Sequence, residues 1–231
     1  MAVADLGLKP GAGVVMPDRE VDGARSDRAP SRFGARAAVS RLSRLIVLAS
    51  SLLLLGLYVL PLWSVRLKAP QYPEDLGMNI RINTVEGATE HDLDNINNLN
   101  HYIGMQRIDP ESIPELRLMP WIVGALIVTG VLTAWFGRRR LIYSWTGAFM
   151  VIAIAGLVDF WKWEYDYGHN LDMDTAVIKI PGMSYQPPLI GSKQLLNFTA
   201  VSLPGSGGVI AGLALTLALA ASYLVWRNRA A

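Results

Sequence analysis

The chain has 231 residues, 52% of them hydrophobic, no cysteine and a formal net charge of +2. Without cysteine there are no disulfides, cysteine-ligated zinc sites, iron–sulfur clusters, lipidated cysteines or covalently attached haem, so a soft-metal site must use methionine and histidine. The charge is also segregated: of 21 basic residues, eight precede residue 45, three sit at 138–140 and two follow residue 226, a pattern that orients membrane helices and does not suggest a nucleic-acid partner.

Residues 1–44 read as a basic cytoplasmic tail, rich in Gly, Ala, Pro and Arg and weak in apolar periodicity. A start at Met16 in place of Met1 stays open. Arg25, Arg28, Arg32, Arg36, Arg41 and Arg44 lead up to the first apolar block, either holding that end inside or resting on anionic headgroups. Residues 45–63 form the first expected span, with Tyr58 and Trp63 as interfacial anchors. Its apolar run exceeds a signal-peptide core, which favours an uncleaved anchor.

Residues 64–118 form a long loop with nine acidic and five basic residues. Within it, 77–85 alternate as a strand that Glu86-Gly87 closes with a turn. Residues 90–105 read as a helix whose stripe Leu93, Ile96, Leu99 and Ile103 packs against something. Residues 109–115 suit a turn or short helix with proline at its first position.

The second span is expected over 119–136, a tight arginine turn over 137–140, and the third span over 141–160, with Asp159 as an interfacial carboxylate. A second long loop covers 161–206 and the fourth span 207–226, where Gly208, Gly212, Ala214 and Ala218 allow close helix packing. Residues 227–231 close the chain as a short basic tail. The expected fold class is therefore an all-α membrane protein: four transmembrane helices, two long extracytoplasmic loops carrying short α/β elements, and both termini cytoplasmic.

All three histidines, His91, His101 and His169, fall in the two loops, as do Met78, Met105, Met173 and Met183, with Met119 at the bilayer boundary. His101 and Met105 are four residues apart, as are His169 and Met173, so in helices each pair would share a face. Imidazole with thioethers suits Cu(I), and the candidate metal ligands are His101, Met105, His169, Met173, Met78 and Met183. The plain alternative is that these methionines fill gaps and the spacings are chance. His91 suits a solvated or capping position.

Asn95, Asn97, Asn98 and Asn100 point to polar contacts between loops or with a partner, or to an ordinary capped loop. Residues 178–191 read as a rigid docking surface or lid, and 193–198 as a short amphipathic helix at the headgroups. No hydrolytic or phosphate-binding motif is present, and the chain does not read as an enzyme.

The strings Tyr72-Pro-Glu-Asp-Leu-Gly-Met78, Asp94-Asn-Ile-Asn-Asn-Leu-Asn-His-Tyr-Ile-Gly-Met105, Pro114-Glu-Leu-Arg-Leu-Met-Pro120 and Tyr185-Gln-Pro-Pro-Leu-Ile-Gly191 resemble a family of small polytopic bacterial membrane proteins. That family is associated with nitrous-oxide-reductase gene clusters and copper delivery. The resemblance covers roughly residues 65–205, and the Asn-His-Tyr-Ile-Gly-Met string is its most specific part. It implies an inner-membrane accessory protein with periplasmic loops, a protein partner beside the lipid bilayer, and His101 and Met105 as matched ligands. Two other readings stand beside it: a metal-free scaffold that docks a periplasmic enzyme or electron-transfer partner, and a subunit that handles quinone or haem.

Overall fold

A computed structural model describes residues 39–230. The expected basic tail, with Arg25, Arg28, Arg32 and Arg36, and the alternative start at Met16 lie outside the described residues. In chain order the elements are α1 (Arg41–Leu53), β1 (Trp63–Lys68), β2 (Leu76–Ile80), β3 (Val85–Gly87), α2 (Asp92–Ile103), α3 (Pro114–Phe136), α4 (Arg139–His169), β4 (Gly191–Leu195), β5 (Phe198–Pro204) and α5 (Ser206–Ala230).

Among the described residues four helices are long and apolar enough to cross a membrane: α1 with its 3₁₀ continuation through Tyr58, α3, α4 and α5. Their outward surfaces are apolar over most of their length; Trp121 and Trp135, near the two ends of α3, are 77% and 76% exposed. Water would make such a surface adhesive, whereas lipid suits it, and tryptophans prefer the two interfaces.

Inside the bundle, Ala214, Ala218 and Ala221 are fully buried and let α5 close on its neighbours. There the Ser50 hydroxyl donates to the Ala214 carbonyl at 2.7 Å. Gly208 backs directly onto the Leu62 carbonyl, but Gly212 faces open space and takes no part in the close packing expected of it.

The bundle has one arginine end and one sheet end. At the arginine end Arg44 is a helix cap: its Nε and Nη2 donate to the carbonyls of Ala134 and Trp135 at 2.8 and 2.7 Å. These are last-turn carbonyls of α3, whose dipole favours a cation. Arg41 and Arg44, expected in the tail, thus belong to the first helix.

At the other end stands a five-stranded antiparallel sheet of order β3-β2-β1-β5-β4, so the fold is not all-α. The first connection supplies β1, β2 and β3, and the second supplies β4 and β5. The seam between the two is the pairing of β1 with β5, Trp63 opposite Pro204 through Lys68 opposite Thr199. Trp63 therefore opens a strand and does not anchor a span; its indole N–H donates to Ser202 Oγ at 2.7 Å.

The expected single strand over 77–85 is a hairpin, β2 and β3, closed where Arg81 N–H donates to Thr84 O at 2.8 Å. The expected amphipathic helix over 193–198 is a second hairpin. Leu195 pairs with Phe198 across a two-residue turn in which Leu196 takes φ +53°. A leucine at positive φ is not a residue that advertises a turn, which is why the hairpin was not legible.

One sheet face is covered by α2 and by the end of α4. Trp63, Val65, Leu76, Met78, Val85 and Ile96 are buried together, with Leu93, Leu99, Phe160, Trp163 and Tyr167 against them. The helical stripe of α2 thus packs on the sheet. At 1.5 Å per residue the 31 residues of α4 extend about 46 Å, well beyond a hydrocarbon core of roughly 30 Å. Its last turns belong to the sheet layer, so the third helix ends nine residues later than expected.

Asp92 ties α2 to the sheet. Its carboxylate is buried and accepts hydrogen bonds from the Gly77 N–H at 2.9 Å, the Thr89 N–H at 3.2 Å and the Thr89 hydroxyl. Burial alone would raise this carboxyl, but the bonds from Thr89, then Gly77, and the positive charge of Arg66 outweigh it and hold it below the ordinary range. The contribution is therefore present above the unfolded value, about 3.9, and lost as pH falls through the lower folded value. Acid titration of an Asp92→Asn variant should show a shallower loss of stability below about pH 4 than the parent. Identical acid limbs would show that Asp92 carries no such linkage.

Of the four asparagines, Asn97 and Asn100 act within their own loop. Asn97 Oδ1 accepts from Ile108 N–H at 2.7 Å and its Nδ2 donates to Ile108 O at 3.1 Å, while Asn100 Nδ2 donates to Gln106 O at 3.4 Å. They fasten the segment after α2 to the helix.

Candidate metal site

The second connection docks on the end of α2. The helix stops at Gly104, where φ is +76°, and the chain reverses so that Met105 N–H donates to Asn100 O at 2.9 Å. Gly104 O accepts from Asp172 N–H at 2.7 Å, and Tyr102 O accepts from Val177 and Ile178 N–H at 3.0 and 2.9 Å. Further along, Tyr185 N–H donates to Gly168 O at 2.9 Å. The segment from Asp172 to Tyr185 is thus bonded to both α2 and α4.

Two hollows flank this junction. One is an open polar cleft of about 250 Å³ lined by His101, Met105, Gln106, Arg107, Asp172 and Thr175. The Thr175 hydroxyl, and then the N–H groups of Thr175 and Asp174, hydrogen-bond the Asp172 carboxylate and hold it below the ordinary carboxylate range. Near neutral pH the cleft therefore holds the Asp172 carboxylate and the Arg107 guanidinium, one charge of each sign.

The other is a partly open cavity of about 60 Å³ between α2, α4 and the sheet. Its walls are mostly apolar, with Met78, Met105, Asn100, Glu164 and Tyr185 among the lining. Glu164 and Tyr185 are 1% and 2% exposed. Neither Glu164 oxygen, nor the Tyr185 hydroxyl, has a hydrogen-bond partner among the described residues. Burial pushes the Tyr185 phenol up, so it stays protonated.

The expected ligands separate into groups. Met105 lines both hollows; His101 shares the cleft with it and Met78 shares the cavity. His169, Met173 and Met183 line neither. His169 is the last residue of α4, and its Nδ1 lies 2.9 Å from Tyr165 O with the ring stacked on Tyr165 at 4.0 Å.

The shared-face geometry expected of the two His-x-x-x-Met spacings is absent. In each the helix ends before the methionine, at Ile103 and at His169. His91 stands at the N-cap of α2 but makes no side-chain cap hydrogen bond. Among the described residues no three His, Asp or Glu side chains converge as a metal-ligating group. An ion held in the cavity would depend on thioethers.

Glu164 lies beyond the third span as expected from sequence, which ends at Phe160, whereas α4 runs on to His169. Continuing its helical phase puts Phe160, Trp163, Glu164 and Tyr167 on one face. A lone carboxyl in an aromatic stripe is the signal that would have marked the cavity.

Compared with protein-family models and with curated proteins, the chain matches none.

Proposed function

We propose that this is a membrane protein of the bacterial inner membrane whose sheet-bearing end faces the periplasm and passes Cu(I) to a copper enzyme during its assembly, nitrous-oxide reductase being the instance the sequence resemblance suggests. The basic residues at the opposite end support that orientation, since they favour the cytoplasmic side. The observation that carries the reading is the position of Met105, the one residue common to the lining of the cleft with His101 and Asp172 and of the cavity with Met78. A thioether suits a soft ion, so this residue is the candidate ligand linking the two hollows. Copper is here a cargo, taken up at the cleft and held by sulfur.

Elemental analysis of the protein purified anaerobically from its own membrane tests this. Copper near stoichiometry supports it, and metal-free protein that takes up none on Cu(I) addition defeats it.

A second reading, metal-free docking of a periplasmic partner, is favoured by the apolar run after the loop junction. Val177 is 65% exposed, with Ile178, Ile180 and Ile190 exposed beside it in sequence. Co-purification of a partner at fixed stoichiometry without metal would support that reading. The cavity itself favours an ion over the quinone and haem readings, since about 60 Å³ is far below the several hundred that organic cofactors occupy.

A further inference from the structure

Two carboxyl side chains are buried at the sheet end, Asp92 and Glu164, and they contrast sharply. Asp92 accepts three hydrogen bonds from Gly77 and Thr89. Glu164 accepts none among the described residues and faces a cavity whose other polar lining includes the Tyr185 hydroxyl. An ionised carboxylate in such surroundings costs several kcal/mol unless something neutralises it. The neutraliser is a proton or a cation.

The walls narrow the choice of cation. A volume of about 60 Å³ holds one ion or a water or two. Met78 and Met105 bring two thioethers, which suit soft ions, whereas Ca(II) and Mg(II) require six or more oxygens. One carboxylate balances one positive charge, so a monovalent ion leaves the apolar cavity neutral and a divalent ion does not.

We propose that this cavity is an inner binding site for a monovalent soft cation, with Met78 and Met105 as thioether ligands and Glu164 as the charge-neutralising ligand. Binding exchanges ions: Glu164 gives its proton to solvent and its carboxylate receives the cation, so total charge in the cavity is unchanged. The proposal rests on the copper reading for the identity of the physiological ion; the cavity and its buried carboxyl stand without it.

The test is calorimetric titration of the full detergent-solubilised chain with Ag(I), a redox-stable soft monovalent probe, in buffers of different ionisation enthalpy. The parent should bind one equivalent and release close to one proton. Glu164→Gln, nearly isosteric, should weaken binding about tenfold or more and remove the proton release. Met78→Leu, a volume-conserving change, should weaken binding and leave proton release in place.

Retention of both affinity and proton release in Glu164→Gln overturns the inner site. If binding instead disappears in His101→Ala and persists in Glu164→Gln, the cleft is the site and the copper reading survives while this proposal falls. No Ag(I) or Cu(I) binding by the folded parent defeats both.

Discussion

Gly130→Val is expected to unfold the helix bundle or to lower its thermal midpoint in detergent further than any substitution on the outer helix faces. Gly130 lies where α1, α3 and α4 meet. A Cβ placed there would come 2.0 Å from Ser51 Oγ and 2.7 Å from the Trp145 indole. Neither neighbour can move freely: Ser51 donates to Val47 O at 2.8 Å and Trp145 Nε1 donates to Leu126 O at 2.9 Å. Overpacking of this kind costs roughly 1–3 kcal/mol for a single carbon and more for a branched side chain. Alanine should therefore give a graded loss, and Ser51→Ala should restore part of it by removing the nearest atom. Melting followed by circular dichroism decides the matter, and an unshifted midpoint for Gly130→Val would rule out this packing of the three helices.

Gly104→Ala is expected to damage the loop junction and leave the bundle intact. The backbone there has φ +76°, and a Cβ would sit 2.6 Å from the Asp172 carbonyl oxygen and 3.1 Å from Ala176 Cβ. A left-handed conformation costs a non-glycine residue about 1 kcal/mol or more, and the clash with fixed backbone adds to it. Relief requires Asp172 to move away, breaking its 2.7 Å bond to Gly104 O and opening the cleft that His101 and Met105 line. Hydrogen exchange should accelerate over residues 172–178 with α1, α3 and α5 unchanged. Soft-metal affinity should fall with it. Unaltered exchange in that segment would mean that the two connections do not dock as described.

The helix count was legible because uniform apolar runs flanked by arginines are a strong, local signal; the ends of α3 and α5 lie within five residues of expectation, while α1 ends at Leu53, ten residues before the expected end, its 3₁₀ continuation reaching Tyr58. The α2 stripe was legible for the same reason, since Leu93, Ile96, Leu99 and Ile103 carry a three- and four-residue period. What the sequence concealed was pairing between distant segments. β1 and β5 are more than a hundred residues apart, and no local pattern in Trp63–Lys68 points to Phe198–Pro204. The edge strand β4 is nearly all polar, with Lys193 at its centre, as edge strands are when they resist further pairing, and it read as something else. The end of α4 was misjudged because a transition from aliphatic to aromatic residues looked like a bilayer boundary. The helix continues through that transition to His169.

The candidate site followed the same division. His101 and Met105 were legible as residue types in a suggestive order, but the helix that would align them ends at Ile103, and φ +76° at Gly104 redirects Met105. That redirection is what places Met105 beside both hollows. His169 and Met173, equally suggestive in sequence, come to neither. Glu164 and Tyr185 acquire meaning only when two connections fold onto one helix.

In the proposed function Met105 holds a soft ion at the junction of the two connections. Anaerobic Cu(I) titration of the purified full-length protein against a chromophoric chelator, with the parent compared to Met105→Leu, tests it most directly. One tightly held equivalent is expected in the parent and a loss of about tenfold or more in affinity for the leucine variant, with its helical content and elution unchanged. Equal Cu(I) affinity in the two proteins would contradict it.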